Sequence, residues 1–187
     1  KAQIKLGLTH LIEGNLVQAR IHVSNILKQS PQTIEAYHLL ADILVRENEI
    51  QEAVAILEKA RSMDPKEIRT LLKLAHLLDT LGQAEKAEQV YIKAMALDSS
   101  NRAAYIELCK FYDRRKAFDK IENTLKYVVR TPGIKFEKYT DLARFYEEHR
   151  RFDLAEKSYR EAIAATPDLD RAFFNMGEYY ARQNRKD

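Results

Sequence analysis

The chain has 187 residues, 45% hydrophobic and 32% charged, with a formal net charge of +3. That suffices for a packed core under a solvated surface, and five glycines and four prolines are too few for a collagen-like or loop-dominated chain. One cysteine excludes an internal disulfide framework, the mild charge demands no acidic partner, and no apolar run reaches the ~18 residues of a membrane-spanning helix. A sequence that opens at Lys1 without a signal peptide reads as a fragment or processed form of a longer protein. The expected state is soluble, in the cytoplasm or, for an exported bacterial protein, the periplasm.

Taken in chain order, small residues recur every 34 positions: Gly7, Ala41, Ala75, Cys109, Ala143 and Gly177. Each comes directly after a large residue, namely Leu6, Leu40, Leu74, Leu108, Leu142 or Met176. Three positions after the small residue stand His10, Leu44, Leu78, Tyr112, Tyr146 and Tyr180; four before it stand Gln3, Tyr37, Leu71, Tyr105, Tyr139 and Phe173. A second small series, Ala19, Ala53, Ala87 and Ala155, is broken only by Ile121. Beyond it come Val23, Leu57, Tyr91, Leu125 and Tyr159, while Pro31, Pro65 and Pro167 close three of the units. A fixed period of this length is the mark of a stacked-repeat architecture.

Within each unit the large residues fall three and four apart, the spacing of one helical face, and two helices fit one period. In the second unit the pattern predicts helices over Ile34–Glu47 and Ile50–Ser62 with a turn at Asn48. Gly82 supplies the permissive residue for the same turn in the third, and the prolines belong between helices because they lack an amide hydrogen. Alanine-sized residues at 41 and 53 let the paired helices approach closely, with Leu40, Leu44 and Leu57 filling the flanks.

These residues resemble the tetratricopeptide repeat, whose pattern of aromatic, Leu, small residue, Tyr, Ala, aromatic, Ala and Pro runs the length of the chain. In that register the single array divides into units 1–33, 34–67, 68–101, 102–135 and 136–169, with 170–187 opening a sixth. The resemblance implies an all-α solenoid, a right-handed superhelix of antiparallel helix pairs with a concave groove. It also implies a scaffold that binds proteins rather than an enzyme. Departures are Gln3 and His10 where aromatics are usual, Ile121 for alanine, and Pro132-Gly133, which shifts a closing proline by one residue. The joint between the fourth and fifth units is therefore expected to be the least regular. Pentatricopeptide repeats would drift out of step with a 34-residue period, and half-a-tetratricopeptide repeats of RNA processing lack the paired small positions.

Catalytic signals are absent. The five glycines form no phosphate loop, and His10, His22, His38, His76 and His149 show no metal-ligand spacing. Cys109 sits at a packing position with no histidine on its stretch of helix. Nucleic acid is disfavoured because packing positions absorb most of the tyrosines. No cofactor is implied. The resemblance instead points to groove-facing positions as partner contacts: His38 and Asp42 in the second unit, Arg69, Lys73 and His76 in the third, Lys110, Asp113 and Arg114 in the fourth, Arg144 and Glu148 in the fifth. The cations among them suit an acidic peptide through bidentate guanidinium–carboxylate contacts, unless acidic neighbours neutralise them. The chaperone-tail clamp of some family members is not reproduced, since Ile4 and Leu8, or His38 and Asp42, stand where its first Lys and Asn belong.

Two further expectations concern the surface. Arg114-Arg115-Lys116, His149-Arg150-Arg151, and Arg182, Arg185 and Lys186 recur at the repeat period and predict a positive edge for an acidic partner or anionic lipid. Ile4, Leu8, Leu11 and Ile12 at one end, and Phe173, Phe174, Met176 and Tyr180 at the other, predict uncapped apolar faces that continue into further chain or self-associate. The sequence thus reads as a protein–protein interaction scaffold of a larger assembly. Its alternatives are an accessory module of an enzyme whose catalytic domain lies elsewhere, and an RNA-processing half-repeat scaffold. Ala41→Leu or Ala87→Leu is expected to cost on the order of 1–3 kcal/mol by overpacking a seam, read as a lower denaturant midpoint at unchanged m-value.

Overall fold

A computed structural model describes residues 2–133 and 135–184. Among them lie eleven helices and no strand: α1 (Ala2–Ile12), α2 (Leu16–Gln29), α3 (Ile34–Arg46), α4 (Ile50–Met63), α5 (Ile68–Thr80), α6 (Ala84–Leu97), α7 (Arg102–Arg114), α8 (Phe118–Arg130), α9 (Lys135–Glu148), α10 (Phe152–Ala164) and α11 (Leu169–Asn184). Both helices expected in the second repeat are present, each differing by one residue at its C-terminus. The chain divides into two compact units, Lys1–Leu97 with α1 to α6 and Asp98–Asp187 with α7 to α11.

The short turn between the two helices of each repeat has one backbone solution. Gly14, Asn48, Gly82, Lys116 and Arg150 stand 34 residues apart, and all five have positive φ, from 54° to 78°. Glycine adopts this left-handed conformation freely and asparagine with little penalty, whereas a long side chain loses on the order of 1–2 kcal/mol there. The amide of the next residue closes the turn by reaching back to the end of the first helix, as in Glu49 N–H to Leu44 O and Arg151 N–H to Tyr146 O, both 2.8 Å.

In the first unit the alanine positions are sealed. Ala19, Ala41, Ala53, Ala75 and Ala87 are buried, and Leu57, Leu71, Leu74 and Tyr91 fill the spaces beside them. Gly7 takes the small position of the first repeat, where a Cβ would come within 2.9 Å of the Leu39 side chain. Asn15 and Glu67 cap the starts of α2 and α5 by accepting from the amides of Gln18 and Thr70.

The second unit has the same plan with one departure. Cys109 and Ile121 occupy the paired small positions of α7 and α8, and these helices pack over less of their length than the partners in any other repeat. The two residues still lie under the surface. At the end of α8, the buried Lys138 ammonium donates to the Thr131 hydroxyl and to the Thr131 and Pro132 carbonyls at 2.9, 3.3 and 2.6 Å. It thereby satisfies the carbonyls that the shifted proline leaves open. Gly133 has φ 116°, and a Cβ there would meet Ser100 at 3.0 Å.

Helix α9 lies at the centre of this unit and carries two buried carboxylates, each held by an arginine and a tyrosine. Asp141 accepts from Arg102 Nε and Nη2 at 3.0 and 2.6 Å and from the Tyr105 hydroxyl at 2.9 Å. Glu147 accepts from Arg182 Nε and Nη2 at 2.8 and 3.1 Å and from the Tyr159 hydroxyl at 3.2 Å. The first set ties α9 to α7, the second ties it to α10 and α11.

The expectation of uncovered ends needs correction in detail. Leu11 and Met176 are buried, while Leu6, Leu8, Ile12, Phe173, Phe174 and Tyr180 are exposed. In α11 the buried aromatic is Tyr179, whose hydroxyl donates to the Phe152 carbonyl at 3.0 Å. Tyr179 takes the register of Phe111 and Phe145, and its ring packs 5.1 Å from that of Tyr159 in α10. Tyr180 takes the register of Tyr112 and Tyr146, which face the second helix of their own repeat.

Lys116→Gly and Arg150→Gly should each raise stability by roughly 0.5–1 kcal/mol through relief of left-handed strain. Thermal melts of the single and double variants check this, and Asn48→Gly, at a residue that tolerates the conformation, should change little.

Candidate functional site

The expected contact residues fall into two sets, one in each unit. In the first unit, Asp42 of α3 forms an ion pair with Lys73 of α5. His38 is buried, only 3% exposed, with Nε2 at 2.7 Å from the Thr70 hydroxyl and 3.6 Å from the Glu67 carboxylate. The family resemblance implied a groove-facing His38, but the side chain is buried against α5, so it holds helices together rather than facing a partner. Arg69 and His76 of α5 are exposed and carry no side-chain hydrogen bond or ion pair among the described residues.

In the second unit, Lys110 pairs with Glu107 on the same helix at 2.7 Å, and Asp113 and Arg114 are exposed near the end of α7. Arg144 and Glu148, one turn apart on α9, are exposed with no hydrogen bond or ion pair from their side chains among the described residues. Lys110, Asp113, Arg144 and Glu148 share a cleft of about 260 Å³ between α7 and α9. Its floor is Ile106, Cys109, Ile121, Leu125 and Phe145. A second cleft of about 230 Å³ adjoins it along α9 and is polar, lined by Arg102, Glu137, Thr140, Asp141, Arg144 and Arg171 among others. Arg144 lines both.

Sequence reasoning missed Arg171, Ile121 and Phe145 as site residues. Arg171 was within reach, for it stands in the register of Arg69 three repeats earlier. Ile121 stands out as a departure from alanine, but nothing in the spacing says that it lines a cleft.

The same cleft brings His149 into the cavity lined by Cys109, a juxtaposition invisible in the sequence. It makes no nucleophile. Burial, and then the Asp141 charge, push the Cys109 thiol up to about 12, so the thiolate is scarce at neutral pH. The His149 ring packs against Phe118 and Phe145, and its Nδ1 lies 2.8 Å from the Phe145 carbonyl. Among the described residues no three His, Cys, Asp or Glu side chains converge as metal ligands would.

Of the periodic basic residues, Arg115, Arg151 and Arg182 are engaged locally. Arg151 pairs with Glu122 and lies over the Tyr146 ring, 5.1 Å from its centroid. Arg115 lies 4.0 Å over Phe111, and Arg182 is held by Glu147. Lys116 and Arg150 are the left-handed turn residues; Arg185 and Lys186 lie outside the described residues. Among the described residues no helix is long and apolar enough to cross a membrane.

Models of the tetratricopeptide repeat match residues 10–72 and 44–94, and a further one matches 140–187. The chain belongs to the tetratricopeptide repeat family. Its all-α repeat fold is shared with PilF of Pseudomonas aeruginosa, at TM-score 0.65 and 20% identity over 99% of this chain and 85% of that one. It is also similar to a thermophilic tetratricopeptide protein of Thermus thermophilus, at TM-score 0.59 and 21% identity over 96% of each chain. YrrB, described as having an unusual peptide-binding site, superposes at TM-score 0.54 with 16% identity over 94% of this chain and 90% of its own. No curated protein matches the sequence.

His38 gives this tetratricopeptide chain a pH response. Burial holds its imidazole below the ordinary 6.5, against the opposing pull of Glu67. The unfolded chain therefore takes the proton first as pH falls, so the stability tied to neutral His38 is complete above ~6.5 and drains away below it until the folded imidazole also protonates. Denaturant midpoints should fall from about pH 7.5 to about pH 5.5, and His38→Gln should flatten the His38 part of that slope.

Proposed function

We propose that the chain is a non-catalytic scaffold that binds a peptide or protein segment on the first helices of its repeats, as part of a larger assembly. The units are those read from the sequence, 1–33, 34–67, 68–101, 102–135 and 136–169, with 170–187 opening a sixth. The observation that carries this reading is the contrast among charged side chains. Asp42, Lys73, Asp141 and Glu147 are used up in ion pairs or hydrogen bonds within the fold. Arg69, His76, Arg144 and Glu148 lie exposed on α5 and α9 without protein partners among the described residues. A charge left unpaired on a rigid helix contributes little to folding and is available for recognition.

Family membership supports the same reading, as does the peptide-binding site named for YrrB. The neutral, buried Cys109 thiol favours a scaffold over a thiol enzyme. Partner preference is for acidic groups at Arg69, Arg144 and Arg171, where planar guanidinium forks can grip carboxylates.

Photo-crosslinking tests the surface. A benzophenone amino acid placed at Arg69, His76, Arg144 or Glu148 should capture the same partner in cells, whereas placement at the exposed Lys86 or Lys93 of α6 should not. Equal capture from both sets, or from neither, would remove the first helices as the binding surface.

A further inference from the structure

The two adjoining clefts of the second unit differ in chemistry, and that difference specifies a ligand. The α7–α9 cleft has an apolar floor of Ile106, Ile121, Leu125 and Phe145, with Cys109 kept uncharged by burial. At about 260 Å³ it falls short of the ~300 Å³ at which pockets begin to enclose a whole small molecule, a size suited to a single side chain. The adjoining cleft is polar and rich in arginine.

The carboxylates of that polar cleft neutralise it only in part. Asp141 is fully occupied by Arg102 and Tyr105. Glu137 forms a longer ion pair with Arg171 at 3.7 Å, so the three arginines of this cleft still outnumber its two carboxylates. Arg171 lies over Phe136, 5.0 Å from the ring centroid, which supports the guanidinium while leaving its donors open. Arg144 has no partner among the described residues and borders both clefts. At the far end of the apolar cleft, Asp113 and Glu148 lie one turn beyond Lys110 and Arg144 on their helices. They disfavour a second acid there.

Resting on the scaffold reading, we infer that the apolar cleft anchors one large apolar side chain of an extended partner segment. A carboxylate close beside that anchor is gripped by Arg144 and Arg171. The ligand class is thus a peptide in which Leu, Met or Phe stands next to, or one residue from, Asp or Glu, with no second acid on the other flank.

Panning a random dodecapeptide display library against the 187-residue chain tests this. The enriched sequences should pair a large apolar residue with an acid within two positions. Binding of the best synthetic peptide, measured by calorimetry, should weaken about tenfold or more in Arg144→Glu/Arg171→Glu. It should weaken similarly in Ile106→Phe, which fills the cleft from a half-buried position of its apolar lining, with circular dichroism melts confirming that both variants fold. A peptide with Lys in place of its acid should regain binding to the double reversal variant.

Enriched peptides that lack the pairing, or whose binding ignores both variants, would overturn the inference and leave the scaffold reading standing. No enrichment at all would sink both. A concentration-dependent dimer abolished by the same variants would assign the clefts to a second copy of the chain, and would also overturn it.

Discussion

Close approach of paired helices is the constraint on which everything else in this chain depends. A helix pair meeting through alanine has no room for solvent and none for a larger side chain, so the neighbours must be long, unbranched at Cβ and fixed in register. Ala41 with Ala53, Ala75 with Ala87, and Ala143 with Ala155 meet this condition with essentially no exposure. Once these contacts are set, the faces left over are determined: one side of each repeat must stack on the next, and the other is free to carry charge.

In the fourth repeat this condition is relaxed. Cys109 and Ile121 are both larger than alanine, and the α7 and α8 backbones lie close over less of their length than those of other paired helices. The departure is compensated elsewhere in the unit. Arg102 and Tyr105 of α7 hold α9 through Asp141, and Lys138 of α9 ties down the end of α8. Directional hydrogen bonds to charged groups thus supplement the apolar packing between these helices. Such interactions are costly to bury unless every donor and acceptor is matched, and Asp141 and Glu147 have three hydrogen bonds each from protein donors.

Much of this was legible in the sequence, for a definite reason. Helix spans, inter-helix turns and seam residues repeat at one period, so each is stated five times over and a single irregular unit cannot obscure it. Side chains that act between repeats are stated only once. His38 and Asp42 occupy neighbouring positions of one helical face and both meet α5, yet the first is buried against Thr70 and the second stays partly exposed in its pair with Lys73. Arg151 and Arg182 read as one basic edge, whereas Glu122 and Glu147 claim them individually. Periodicity locates a residue on a helix; it says nothing about the height at which a non-equivalent neighbour meets it.

On the reading proposed above, the departure at Ile121 links stability and recognition in the second unit. An alanine there would allow α8 to close on α7 and take away part of the apolar floor that Ile121, Leu125 and Cys109 now form. The same closure would leave Arg144 bordering only the polar cleft, with a grip for a carboxylate but no adjoining anchor. A regular fourth repeat would pack better and discriminate less, since charge alone on an exposed helix is screened by salt while a shaped apolar recess beside it is not. At the irregular seam, an apolar lining and the Arg144 guanidinium border one cleft.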